Sequence, residues 1–269
     1  TIGRRLAKAL DLTLLDTDAA IEETTGRTIA DIFAVDGEAE FRRIEETVIR
    51  WMCDLVGFPA GAFGTLTSGG TLANVTAMKV ALNEKVPEVR RIGVAAAEGR
   101  PTFYVSTQAH YSIDRLADLL GLGLEGIRKI ECDGAARVVP AALERRILDD
   151  REAGRLPFCV VGIAGTTTSG AIDPLDELAD ICVRHRLWYH VDAAWGGAAR
   201  LSRRHAGLLK GIERADSVTL DPHKWFYVPY HCAYVLFRDR DLMRHVELSN
   251  PHFVVLRPGE EDLGKWSLE

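Results

Sequence analysis

FCVVGIAGTTTSGAIDPLDELADICVRHRLWYHVDAAWGG, residues 158–197, carries the reading of the fold. Its first seven residues, Phe158–Ala164, form an apolar run with no polar alternation. That is the pattern of a strand buried on both faces. GTTTSGAIDPL then breaks the run, residues 176–186 have helical periodicity, and residues 187–191 form a second apolar strand ending at Asp192. Strand, helix and strand in this order predict a parallel pair with a crossover helix. Working outward, the same alternation continues. Strands are predicted at Thr102–Ser106, Ile127–Ile130 and Ser217–Leu220, with helices at Leu72–Leu82, Ser112–Leu120 and Pro140–Glu152. The fold class expected is α/β, a mostly parallel sheet between helical layers. In such sheets ligands gather beyond the C-terminal strand ends, and His110, Thr167, Asp192 and Lys224 all fall there.

The strand Ser217–Leu220 opens DSVTLDPHKWFYVPY, residues 216–230. Pro222 stops it, since proline cannot continue a ladder. Lys224 follows among Trp225, Phe226 and Tyr227. A lysine partly desolvated by aromatic groups has a lowered pKa and becomes a nucleophilic amine. Taken singly, the pair His223-Lys224 reads more readily as a surface lysine after a turn. Ser68-Gly69-Gly70-Thr71 opens a helix whose first N–H groups can bind a phosphate. Taken singly, it is also a glycine turn with a Thr71 cap. Together these groups fit pyridoxal 5′-phosphate. The lysine makes the Schiff base, Asp192 pairs with the pyridinium nitrogen, and His110 can stack on the ring.

Composition narrows the alternatives. The chain has 269 residues, is 47% hydrophobic and carries a formal charge of −6. The acidity and the lack of a basic run argue against a nucleic-acid partner. No apolar stretch reaches membrane-span length and no signal-peptide pattern opens the chain. Five scattered cysteines without a CxxC suggest reduced thiols and a cytoplasmic protein. No histidine spacing suggests a metal site. The chain begins at Thr1 and reads as cut.

The ordered motifs TSGGTLAN (67–74), His110, GTTTSGAID (165–173), HVDAAWGG (190–197) and DPHKW (221–225) resemble the pyridoxal-phosphate-dependent decarboxylases of the glutamate, aromatic amino acid and cysteine sulfinate group. The resemblance covers about residues 47–256. It implies the large domain of a fold type I enzyme, a homodimer when complete, that decarboxylates an L-amino acid through a lysine aldimine and a quinonoid. It makes Lys224 the aldimine lysine and Asp192 the pyridinium partner, with His110 and Ala194 on the two ring faces. Ser68, Gly69 and Gly70 would bind phosphate, Thr167 would support the ring side, and His223 would lie near the phosphate and the scissile group. Asp221 stands where many members have asparagine, and His231 where aspartate is frequent, so a phosphate-side role for Asp221 is less secure.

The resemblance also implies that the C-terminal small domain is missing. The region 249–258, where the group carries a proton-donating tyrosine, has none. Phe253 or Val255 takes that place, with His252 as a substitute acid or a tyrosine beyond Glu269 as the other readings. An aldehyde-forming enzyme and a catalytically inactive cofactor-binding or interaction module are therefore alternatives. Residues 1–46 read differently. LLDTD (14–18), TGRTIADIF (25–33) and GEAEFRRIE (37–45) resemble shikimate kinase, which would place Asp16 near magnesium and Asp18 and Arg42 on shikimate. The phosphate-binding GxxxxGK loop is absent, so these three residues read as solvated charges. The expected domains are 1–46 and 47–269.

Overall fold

The computed structural model describes residues 29–245, and side chains for 43–242 except that of residue 96. Asp16, Asp18, the side chain of Arg42 and the stretch 249–258 lie outside what it describes. The chain enters through α1 (Ile29–Val56), one continuous helix of 28 residues. Ala residues before Asp36-Gly37 and Glu, Ala and Arg residues after it favour helix strongly enough to carry it through this pair. The helix runs across the 46/47 boundary. Its last turns bury Ile49, Cys53 and Val56, spaced on one face.

Next come β1 (Phe63–Thr67), α2 (Gly70–Lys85), the short α3 (Glu88–Ile92) in a stretch read as loop, and β2 (Pro101–Ser106). Then follow α4 (Ser112–Leu119), β3 (Ile127–Ile130), α5 (Pro140–Glu152), β4 (Leu156–Ile163) and α6 (Leu175–His185). The last elements are β5 (Trp188–Asp192), β6 (Ser217–Leu220) and β7 (Ala233–Phe237). The seven strands form one sheet in the order β1-β7-β6-β5-β4-β2-β3. From β6 to β3 neighbouring strands are parallel. β7 runs antiparallel to both β6 and β1. The expected mostly parallel sheet is thus present, with one reversed strand whose AYVLF run the sequence reading passed over.

Register brings the chemistry to one edge. Ile163 of β4 lies opposite Asp192 of β5, and Asp192 opposite Thr219 of β6. The three strands end together, and the loops after them meet above the sheet. α2 covers one face, packing on β4, β5, β6 and β7, while α5 and α6 pack on β4 from the other. Burial on both faces explains the continuous apolar runs. Phe103, Phe158, Trp188, Tyr189 and Phe237 are among the largest side chains fully removed from water. Such a side chain contributes about 2–3 kcal/mol by burial. No helix among the described residues is long and apolar enough to cross a membrane.

Candidate active site

A cavity of about 640 Å3 opens where β4, β5 and β6 end, within the size range of small-molecule sites. Ser68, Gly69, Gly70, His110, Thr167, Asp192, Ala194, Asp221, His223 and Lys224 all line it. The structure therefore brings these ten residues together.

One wall is the start of α2. The first bond from its capping residue is Ala73 N–H to Gly69 C=O, at 3.1 Å. The N–H groups of Gly70, Thr71 and Leu72 precede it and have no partner within the helix. Those donors and the helix dipole make an anion site. The Thr67 hydroxyl, 3.1 Å from the Gly69 carbonyl, pins the turn. Gly70 is required by close approach, because a Cβ there would lie 2.6 Å from Asp221 Oδ2.

The floor is the end of β5. Asp192 Oδ1 accepts from Ala194 N–H at 3.1 Å, and Oδ2 accepts from Asn74 Nδ2 at 2.9 Å. Ala194 presents its small side chain beside the carboxylate. His110 sits in the turn after β2. Its Nδ1 is 3.3 Å from the Ser112 N–H and 2.9 Å from the Ser112 hydroxyl. Accepting from a backbone N–H leaves the proton on Nε2. Burial lowers the His110 pKa, opposed by the Asp192 charge, so the ring is neutral at neutral pH. Its face lies 4.1 Å from that of Tyr111. In the loop after β4, Thr166 is buried and bonds Ser169 and Ala171 N–H. That leaves the neighbouring Thr167 exposed on the cavity wall.

Lys224 is not placed as expected. Its aromatic neighbours turn outward: Trp225 meets Trp195 at 4.0 Å, and Tyr227 is 84% exposed with a φ of 59°. The lysine side chain is 38% exposed, and its Nζ pairs with Asp221 Oδ2 at 2.9 Å. The ammonium is held by a carboxylate rather than wrapped in rings. The cause is Pro222, after which the chain turns (Lys224 N–H bonds Asp221 C=O at 3.0 Å) and folds Lys224 back over the strand end. Asp221 is 2% exposed and its Oδ1 has no hydrogen-bond partner. Burial raises its pKa, and Lys224 pulls it back. His223 donates from Nδ1 to the Cys232 carbonyl at 2.6 Å and lies 5.3 Å from His231, ring to ring.

Three polar residues escaped the sequence reading as site residues. Asn74, His190 and Ser217 stand behind Asp192, all buried. The signal for Asn74 was a polar side chain on the face of α2 that otherwise turns Ala73, Ala77 and Met78 inward.

The family model of the pyridoxal-dependent decarboxylase conserved domain matches residues 9–269. The chain belongs to this family. The match starts inside the segment that resembles shikimate kinase. Across 83% of its length the chain is 38% identical to the acidic amino acid decarboxylase of Bos taurus, covering 43% of that protein. Across 74% it is 43% identical to the cysteine sulfinic acid decarboxylase of Mus musculus, covering 40% of it. The crystal structure of mouse CSAD superposes with a TM-score of 0.83 at 35% identity, over 95% of this chain and 53% of that one. The chain thus spans less than half the length of the curated relatives it matches.

The cofactor of this decarboxylase family is pyridoxal 5′-phosphate, and the cavity fits it. Free donors at α2 suit the phosphate, a braced carboxylate suits a ring nitrogen, and an exposed amine suits the aldehyde. Asp221 is the one group of opposite character, an acceptor facing the anion end. Among the described residues no cluster of His, Cys, Asp or Glu could hold a metal.

Proposed function

We propose that the chain is the cofactor-binding part of an enzyme that decarboxylates an L-amino acid. The observation that carries this reading is the meeting of Lys224, Asp192 and the open end of α2 in one cavity. Pyridoxal phosphate supplies an electron sink for the pair of electrons left when carbon dioxide departs. Lys224 would hold the cofactor through its amine, with the aldehyde oxygen leaving as water, and Asp221 holds that amine near the strand end. Asp192 would keep a proton on the ring nitrogen. Ser68, Gly69 and Gly70 hold the phosphate, and His110 and Ala194 flank the ring. Thr167 and His223 bound the space left for the substrate.

A second copy of the chain is the partner this reading implies. Tyr111, Leu119 and Tyr230 are exposed apolar groups, and Leu119 lines the cavity. An exposed apolar side chain on the wall of a site favours a protein contact there. The free cysteines Cys53, Cys132, Cys159, Cys182 and Cys232 support a reducing, cytoplasmic location.

The test is chemical. Incubation with pyridoxal phosphate followed by borohydride should fix one cofactor per chain on the peptide that contains Lys224. Lys224→Ala should abolish that label while leaving the unfolding transition in place. Label spread over surface lysines, or unchanged in Lys224→Ala, would sink the assignment. With label in place, carbon dioxide release from acidic and aromatic amino acids tests the reaction. Labelled chain that is inert toward all of them would favour a binding module.

A further inference from the structure

The Asp192 carboxylate is the last member of a buried chain of polar groups whose protons can be placed one by one. Asp192 Oδ2 lies 2.9 Å from Asn74 Nδ2. Asn74 Oδ1 lies 3.0 Å from His190 Nε2. His190 Nδ1 lies 2.8 Å from Ser217 Oγ, and Ser217 Oγ lies 2.9 Å from Trp188 Nε1. Trp188 and His190 lie on β5, Ser217 on β6 and Asn74 on α2, so three elements contribute. None of the four supporting residues is more than 2% exposed.

Both ends of this chain are fixed in character. An ionised carboxylate only accepts, and an indole nitrogen only donates. Asn74 must therefore turn its amide nitrogen to Asp192 and its oxygen to His190. A flipped amide would set oxygen against carboxylate and leave a buried repulsion. His190 must then carry its proton on Nε2, which leaves Nδ1 as an acceptor. The Ser217 hydroxyl donates to Nδ1 and accepts from Trp188. Each of these four bonds then has one donor and one acceptor. Burial pushes the His190 pKa down to about 4, against the opposing pull of Asp192. The ring therefore stays neutral at neutral pH.

From this we infer that Asn74 is a positioning residue for Asp192, and that His190 and Ser217 fix the direction in which its amide points. The inference rests on the cofactor reading above. With Oδ2 held by Asn74 and Oδ1 by Ala194 N–H, the carboxylate cannot rotate, and the charge that meets the ring nitrogen is set before the cofactor arrives. Preorganisation of this kind saves the cost of ordering the group on binding. A structural role alone would also fill the space behind Asp192, but it would not depend on the direction of each hydrogen bond.

The test uses the full chain and pyridoxal phosphate without substrate, followed by visible absorbance. Asn74→Leu should weaken binding by about tenfold or more, the worth of one hydrogen bond to a charged group. His190→Leu should weaken it in the same direction. His190→Gln, which keeps a donor near the Nε2 position, should restore binding to within about twofold of wild type. In an Asp192→Asn background the Asn74→Leu effect should nearly vanish, because the coupling runs through the carboxylate. Equal losses in both backgrounds, or no loss in Asn74→Leu, would overturn the inference. Should Asn74→Leu fail to fold, the His190→Leu and His190→Gln pair decides, with identical affinities overturning it.

Nitrogen-15 spectra of the cofactor-free chain, with the His190 signal assigned by its absence in His190→Gln, give an independent readout. They should show a neutral ring protonated at Nε2 at pH 7. An Nδ1–H tautomer would overturn the stated direction of the chain. Wild type that takes up no cofactor would instead overturn the reading of the site, while the tautomer would still report on the hydrogen bonds.

Discussion

The two carboxylates of the cavity stand in opposite surroundings. Asp192 closes a strand in the middle of the sheet, both its oxygens are bonded, and a line of matched polar groups stands behind it. Asp221 follows the neighbouring strand by one residue. It is more deeply buried, yet one oxygen has no hydrogen-bond partner and the other holds a lysine that is partly in water. Behind Asp192 the molecule is satisfied and fixed. Around Asp221 it keeps an unmet acceptor and a loop of outward aromatic rings. The contrast teaches a division of labour. With the cofactor placed as proposed, the side facing its ring nitrogen would be built before binding, and the lysine and phosphate side would be completed by what binds.

The largest expected effect separates these two directly. Asp192→Ala orphans the Asn74 amide and the Ala194 N–H, both buried, at roughly 1–3 kcal/mol for each donor. Urea unfolding of the cofactor-free chain should show a loss of about 4 kcal/mol on that basis. Asp221→Ala removes an oxygen that has no partner and frees Lys224 to solvent, so the loss there should stay within about 1 kcal/mol. Equal losses would break the comparison.

Acid sensitivity sharpens it. The unfolded chain protonates its histidines near pH 6.5, whereas native His190 does so only near 4 because burial opposes the charge. The unfolded state therefore binds more protons between these values, and stability falls as pH falls. The contribution of the neutral ring is complete above pH 6.5 and is lost toward pH 4, by up to about 3 kcal/mol. His190→Gln should lose less stability than wild type over that interval in parallel melts. Identical pH slopes would show that the ring is not held neutral by the core.

The smallest effect lies on the other side of the cavity. Asp221 faces Gly70 at the anion-binding end of α2 with acceptor atoms only. Asp221→Asn removes a charge that repels phosphate and adds a donor. Affinity for pyridoxal phosphate should rise by about tenfold at pH 8, the scale of one charge-assisted hydrogen bond. An affinity that falls would mean that holding Lys224 matters more than relieving the phosphate.

Much of this was legible in the chain. FCVVGIA and LWYHV declared buried parallel strands because nothing polar interrupts them. Pro140, Pro222 and Gly69-Gly70 marked element ends by backbone constraint alone. β7 was harder to see, since AYVLF follows a proline-containing loop and pairs antiparallel both with β6 and with β1, which is distant in sequence.

For the site, residue types at strand ends were enough to name Lys224, Asp192, His110 and the glycine pair, since their chemistry shows in their identity. Which groups touch could not be read. Asn74 lies 118 positions from Asp192, and a lone asparagine in a helix has no local pattern that points to a partner so far away. The aromatic run after Lys224 suggested a dry amine, but the turn after Pro222 sends the rings to solvent and the amine to Asp221. By itself the sequence determined the strands β2 to β6 with the helices between them and the functional groups carried to the sheet's edge, because periodicity and backbone constraint act locally. Only the tertiary structure decided which carboxylate is braced and which is left unmet, because that depends on side chains from β5, β6 and α2 meeting in a space none of them defines alone.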